Sequence, residues 1–189
     1  MALMTVLFLG PCRKFDPRTA KPFPAFSPAS RSGRFLRLAI QAAAVPTDVE
    51  LRFDNIIPRP VYDRAGKERN PSCAELVSEL DGHVLWELRE GDVVVGLSAV
   101  VGEALLRVRA SRIASGDGCR PTVLKLEHPS YMMRRPIEER TDYAQRLGAC
   151  IRLANASSRP KDALREQPNV RRKTPSTARE KTLMAATNG

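Results

Sequence analysis

The residues of this 189-residue sequence with the sharpest chemistry are two histidines, His83 and His128, and four cysteines, Cys12, Cys73, Cys119 and Cys150. A thiol nucleophile needs an imidazole beside it that a third group orients, and a zinc site needs ligands in close pairs such as CxxC or CxxH. Neither arrangement occurs. The cysteines are widely spaced, His83 opens a strand-like run, and His128 precedes Pro129 in a loop. Asp117 and Cys119 with one histidine would make a thiol triad that nothing in the sequence orders. The expectation is reduced and mostly buried thiols, no metal and no cofactor.

Other motifs read as structure. The turn "SGDG" at 115–118 offers backbone N–H groups to a phosphate, but it lacks the Lys-Ser/Thr pair and helix start of a P-loop and reads as a hairpin turn. Glu138 and Glu139 read as the acidic first turn of a helix rather than as a general acid and base. Trp86 falls on the apolar side of its run and reads as core. The central region has no aromatic cluster of the kind a sheet-based RNA reader presents.

Charge is what remains. The net charge is +10, with Arg and Lys at 31 against 21 acidic residues. Residues 1–45 hold seven basic side chains and one acid, Asp16; residues 157–189 hold eight basic and three acidic; residues 46–156 are left at −1. Basic extensions meet anionic partners through long-range attraction. The candidate nucleic-acid or anion contacts are Arg107, Arg109 and Arg112 on or just beyond one run, Arg134 and Arg135 before the last helix, and Arg171, Arg172 and Lys173 in the tail. The partner expected from charge alone is RNA or DNA, bound without sequence specificity. The function class expected is therefore a small non-enzymatic binding protein. The alternatives are a protein-interaction or assembly module, including a viral structural or accessory protein, and an open reading frame without selected function.

The elements that would carry these residues divide the chain into three domains: a basic Pro/Ser-rich extension over 1–45, an α+β domain over 46–156 and a disordered basic tail over 157–189. The run "GRFLRLAIQAAA" reads as a short amphipathic helix ended by Pro46. "TDVELRFD" alternates as a half-buried strand, and "PSCAELVSELDG" carries a capping box, Ser72 with Glu75, that predicts a helix over 73–80. "HVLWELR", "VVVGLSAVV" and "ALLRVRASRI" predict an antiparallel meander to which "TVLKLEH" adds a strand; residues 100–110 suit a helix as well. A longer helix from Ile137 to about Asn155 would cover the sheet, with Pro136 before it. The fold class expected is α+β, a small antiparallel sheet of four to five strands with a short helix before the meander and a longer C-terminal helix, flanked by disordered basic ends.

No run reaches the ~20 apolar residues of a spanning helix, so no transmembrane segment is expected. "ALMTVLFLG" is short, with no basic residue before it and no small-x-small site after it, which argues against a secretory signal. The acid-poor, Arg- and Ser-containing stretch 1–45 resembles an organellar transit peptide, and "IQAA" at 40–43 is similar to the loose cleavage pattern of chloroplast transit peptides. That resemblance implies an intracellular protein of plastid or mitochondrion, cut near Ala42; the five phenylalanines of the first 35 residues would then lie outside the folded domain.

Overall fold

The run "MTVLFLGPC" is too apolar for a strand with one wet face. Val6 and Phe8 are buried in one apolar cluster, Leu7 and Leu9 in another on the opposite side. A strand buried on both faces must be covered by helices above and below, the arrangement of parallel α/β sheets. The computed structural model describes residues 3–117 and 121–157 and has this architecture.

The chain opens with β1 (Met4–Cys12) and a small hairpin, β2 (Phe15–Asp16) and β3 (Lys21–Pro22). Then come α1 (Arg31–Ala42), β4 (Val49–Ile57) and a second hairpin, β5 (Val61–Tyr62) and β6 (Glu68–Arg69). Next are α2 (Cys73–Leu80), a 3-10 turn at Val84–Glu87, β7 (Val93–Leu97), α3 (Ala99–Ala114), β8 (Thr122–Leu126), a short α4 (Pro129–Met132) and α5 (Ile137–Ser157). Four strands form one parallel sheet in the order β4-β1-β7-β8. One face is covered by α1 and α5 through Leu36, Ile40, Tyr143, Leu147 and Ile151, the other by α2 and α3 through Leu76, Leu80, Val101, Leu105 and Val108. This is an α/β, Rossmann-like fold.

The expected small antiparallel sheet is corrected by this topology. The third run of its predicted meander, "ALLRVRASRI", is instead the body of α3. Ser98 caps that helix, and Val101, Ala104, Leu105 and Val108 recur at helical spacing on the sheet, whereas Leu106, inward in a strand reading, is half exposed. With a helix between β7 and β8 the two strands become parallel, because a crossover returns the chain to the same end of the sheet. "HVLWELR" also fails as a strand. His83 Nδ1 accepts the Leu85 N–H at 3.1 Å and the Trp86 indole donates to Leu80 O at 2.7 Å, which rolls the segment into a 3-10 turn.

The N-terminal segment is corrected with the fold class. Residues 4–12 are an inner strand of the sheet and residues 31–42 are a core helix, so neither is a disordered flank. Three of the early phenylalanines pack into the interior: Phe8 stacks on Phe53 at 5.5 Å between ring centres, Phe26 lies 6.4 Å from Phe53, and Phe35 meets Tyr143 at 5.8 Å. The expected helix over 73–80 is present with both halves of its capping box, Ser72 Oγ accepting the Glu75 N–H and the Glu75 carboxylate accepting the Ser72 N–H at 2.8 Å. The segment 158–189, expected to be a disordered tail, lies outside the described residues.

Two outcomes follow for stability. A chain starting at Thr47 lacks β1 and α1, and circular dichroism should show no cooperative melt; a cooperative melt would mean that the sheet closes without β1. Ser72→Ala should cost about 1 kcal/mol in urea unfolding through loss of the α2 cap.

Candidate functional site

In the order β4-β1-β7-β8 the chain leaves β1 toward one side and later returns to the other. Open α/β sheets bind ligands at such a switch point, beyond the carboxyl ends of the strands. A pocket of about 280 Å³ lies there, at the lower end of the roughly 300–1,000 Å³ usual for small-molecule sites. Every strand of the sheet feeds it: Pro11, Cys12, Arg13 and Lys14 follow or end β1, Asn55 lies near the end of β4, Ser98 and Val100 follow β7, and His128 and Ser130 follow β8. Phe23, Phe26, Ser30 and Ser32 come from the segment that leads into α1, and Asn70 and Pro71 from the entry to α2.

Asn55 is the residue that asks for a ligand. It is 7% exposed, and its side-chain amide has no hydrogen-bond partner among the described residues. The amide is not among the fully enclosed polar atoms that lack a partner, so it opens on the pocket, where water or a ligand can meet it. Its cross-strand neighbour on β1 is Gly10, and a Cβ there would collide with Asn55 Oδ1 and with the Phe26 ring. Glycine at that position is therefore a condition of the site.

Phe26 is buried, and its ring lies 6.1 Å from the imidazole of His128. Its φ of 47° is left-handed, an outlier for a bulky residue. Ser98, which caps α3 by accepting the Val101 N–H at 3.2 Å, has φ 152° and ψ 163°, a region normally left to glycine. Each such conformation costs on the order of 1–3 kcal/mol and persists where the surroundings demand it. Both outliers line this pocket.

His128 is held neutral. Its Nδ1 accepts the Ser130 N–H at 3.2 Å and lies 2.7 Å from the Ser130 hydroxyl, so the ring proton sits on Nε2, which has no partner among the described residues. Burial, reinforced by the positive charge of Lys14, pushes the imidazole down from 6.5 to about 4. The segment is anchored from α5: the Tyr143 hydroxyl donates to Glu127 O at 3.2 Å, and Arg146 meets the Glu127 carboxylate at 2.8 and 3.1 Å. Burial raises the Cys12 thiol, so it stands at the pocket wall protonated. Among the described residues no Asp or Glu lines the pocket. The amino ends of α1 and α3 do, through Ser30, Ser32, Ser98 and Val100, and neither helix has an acid in its first turn. The site is thus positive without a titratable anion.

The described residues among those expected from the sequence as anion contacts lie on α3 and on the segment before α5. Arg107 and Arg109 lie on α3: Arg107 pairs with Glu103, and the Nε of Arg109 is buried without a partner. Arg112 pairs with Asp117 at 3.1 Å and lies over Trp86 at 5.2 Å. Arg134 is exposed beside Arg135, which pairs with Glu139 and lies over Tyr131. Arg171, Arg172, Lys173 and Cys119 fall outside the described residues. Among the described residues no cluster of three His, Cys, Asp or Glu could hold a metal ion, and no helix is long and apolar enough to cross a membrane.

The fold and pocket define an α/β protein with a pocket at the carboxyl edge of its sheet. No family model matches the sequence, and no curated protein is similar to it. Among solved structures it is similar to wild-type SMUG2 of Pedobacter heparinus, with a TM-score of 0.51 at 15% identity over 82% of this chain and 77% of that one. At that identity the likeness is one of fold.

Two measurements probe the site. The stability of the protein should fall as pH drops from about 6.5 to about 4. Over that window the unfolded chain binds a proton at His128 that the folded chain refuses, and below about 4 this contribution is fully lost. An NMR titration should place the His128 midpoint near 4 and move it upward in Lys14→Met. Gly10→Ala should displace Asn55 and Phe26 and lower the melting temperature; an unchanged melt would show that the pocket wall yields.

Proposed function

We propose that this protein is an enzyme of the DNA glycosylase type. In this reading it takes a base swung out of a DNA strand into the pocket at the carboxyl edge of the sheet and hydrolyses the bond between that base and its sugar. The observation that carries the reading is the open amide of Asn55, which presents a donor and an acceptor side by side next to a buried phenylalanine ring. That is the complement of one edge and one face of a nucleobase. The fold-level likeness to SMUG2, a uracil-DNA glycosylase, supports an enzyme and replaces the expected non-enzymatic binder. Enzymes that act on a base inside a strand must extrude it, and a pocket of about 280 Å³ suits one base rather than a longer ligand.

The chemistry follows from the charges. When the bond from C1′ to the base nitrogen breaks, its electron pair leaves with the base and the sugar becomes cationic. Water then adds its oxygen to C1′, and its proton goes to the departing base or to solvent. The pocket walls bear on the first step: the neutral His128 with its Nε2–H, the Asn55 amide and the amino ends of α1 and α3 all stabilise negative charge on the leaving base. A neutral imidazole does this without first being deprotonated, so the pH dependence it imposes lies low, near its own pKa of about 4.

The test is incubation with oligonucleotides carrying a single uracil, followed by alkaline cleavage at abasic sites. Wild type should release the base, and Asn55→Ala and His128→Ala should each be slowed roughly a hundredfold or more. The rate should stay flat from neutral pH to about 5, the range in which His128 stays neutral. Cleavage that persists undiminished in both variants would remove the pocket from the reaction. No cleavage of uracil, hypoxanthine or other altered bases by wild type would remove the glycosylase reading.

A further inference from the structure

The sheet ends in two outer strands that are finished differently. β8 has five residues and carries Lys125, a charge that discourages a further strand from pairing there. β4, Val49–Ile57, has nine residues, none of them Pro, Gly or Lys, and it matches β1 one to one from Val49 to Asn55 without a bulge. A strand of that length, above the usual five or six residues or so, offers its outer edge as a template for another chain. Among the described residues no strand pairs with that edge.

Which backbone groups face outward follows from the ladder. The Met4 N–H donates to Asp48 O at 3.3 Å, so the even-numbered residues from Asp48 to Asp54 turn their N–H and C=O groups to β1, and the odd-numbered ones turn theirs away. Two of the outward N–H groups have local partners: Val49 donates to Pro46 O at 3.4 Å, and Asn55 to the Asp54 carboxylate at 2.8 Å. Between them the outward groups of Leu51 and Phe53 have no partner among the described residues. The edge is closed at its ends and open in its middle.

The side chains around that middle complement themselves. Glu50 and Arg52, paired at 2.9 Å, lie on one side of the strand, and Val49, Leu51 and Phe53 on the other. We propose that a second copy of this chain docks on β4, antiparallel, about a two-fold axis at Leu51, so that two four-stranded sheets become one of eight strands. In that register Leu51 exchanges both backbone bonds with Leu51 of the other copy, and the Phe53 N–H meets the Val49 carbonyl. Glu50 faces Arg52 twice, once on each side of the axis, and Val49 faces Phe53. Moving the axis to Arg52 would set that arginine against itself and Glu50 against Asp54. Moving it to Phe53 would pair Arg52 with Asp54 but leave Leu51 facing Asn55 and Glu50 facing Ile56. With the axis at Leu51 the opposed like charges, Asp48 and Asp54, lie at the ends of the ladder, where Asp54 already has Arg13 at 3.9 Å. On the charged side β4 borders a hollow that Leu3, 55% exposed, and Val84, 63% exposed, line together with Glu50 and Arg52, and the second copy shields this apolar rim. The pairing does not rest on what the pocket at the carboxyl edge binds.

The test is sedimentation equilibrium of the full chain over a dilution series. Wild type should show twice the mass of one chain, falling toward one chain on dilution, and hydrogen exchange should find the Leu51 amide protected in the dimer and unprotected when dilute. Glu50→Arg and Arg52→Glu each set like charges face to face twice per dimer and should weaken association roughly tenfold or more. Mixed in equal amounts, the two variants should form a heterodimer as tight as wild type, and the double variant Glu50→Arg/Arg52→Glu should dimerise on its own. That recovery on mixing shows that neither single variant is misfolded, and it is specific to the axis at Leu51, because with the axis at Arg52 or Phe53 the double variant opposes like charges. Leu51→Pro, which removes an N–H that points away from β1, should keep the melt and lose the dimer. A chain of single mass at every concentration would overturn the proposal, as would a dimer indifferent to both charge reversals or variants that do not recover on mixing. So would a monomer whose Leu51 amide exchanges slowly, since another segment would then hold the edge.

Discussion

Everything in this molecule depends on β1 being buried on both faces. Its side chains alternate between two apolar layers, Val6 and Phe8 toward α1 and α5, Leu7 and Leu9 toward α2 and α3. A strand without a wet face must have strands on both edges and helices on both sides, and the remaining elements are the means of supplying them. The switch of direction between its neighbours β4 and β7 opens a crevice at its carboxyl end. Gly10 at that end leaves room for Asn55 and Phe26 to close one wall. Core and site are consequences of the same strand.

The electrostatics of the pocket follow from that placement. Helices that cross over a parallel sheet start near the carboxyl ends of the strands, so their amino ends collect at one edge. Here the amino ends of α1 and α3 meet Asn55, His128 and two strained residues, with no carboxylate on the lining. Such a site favours negative charge on whatever it binds. It does so with fixed dipoles and a neutral imidazole, which need no rearrangement as the charge grows. The backbone outliers at Phe26 and Ser98 are placed where side chains must reach the pocket against local preference.

Local signals were legible where a short segment decides its own structure. The capping box of Ser72 and Glu75 marked α2 at 73–80, the alternation of 47–54 marked most of β4, and Pro136 with Glu138 and Glu139 marked the start of α5. Direction and pairing of strands were not legible in the same way. "ALLRVRASRI" satisfies both a period of two and a period near four, and only its packing on β7 through Val101, Ala104 and Leu105 chooses the helix. "MTVLFLGPC" is grouped with the acid-poor, Arg- and Ser-containing stretch 1–45 that resembles a transit peptide, although its own apolar run does not fit a leader. A signal was present all the same: the runs at 4–10, 93–97 and 122–126 are nearly continuous in apolar residues, the mark of strands covered on both faces.

The sequence by itself determined where α2 and α5 start, which segments are apolar enough to be buried, and that basic residues outnumber acidic ones. These depend on neighbours within a few positions along the chain. Only the tertiary structure decided that β1 lies inside the sheet, that the sheet is parallel, and that Asn55, Phe26, Ser98 and His128 share one pocket. Those residues lie on four segments spread over about a hundred positions, and no spacing in the chain records their meeting. It arises from the crossover topology, which brings the ends of all four strands to the same edge.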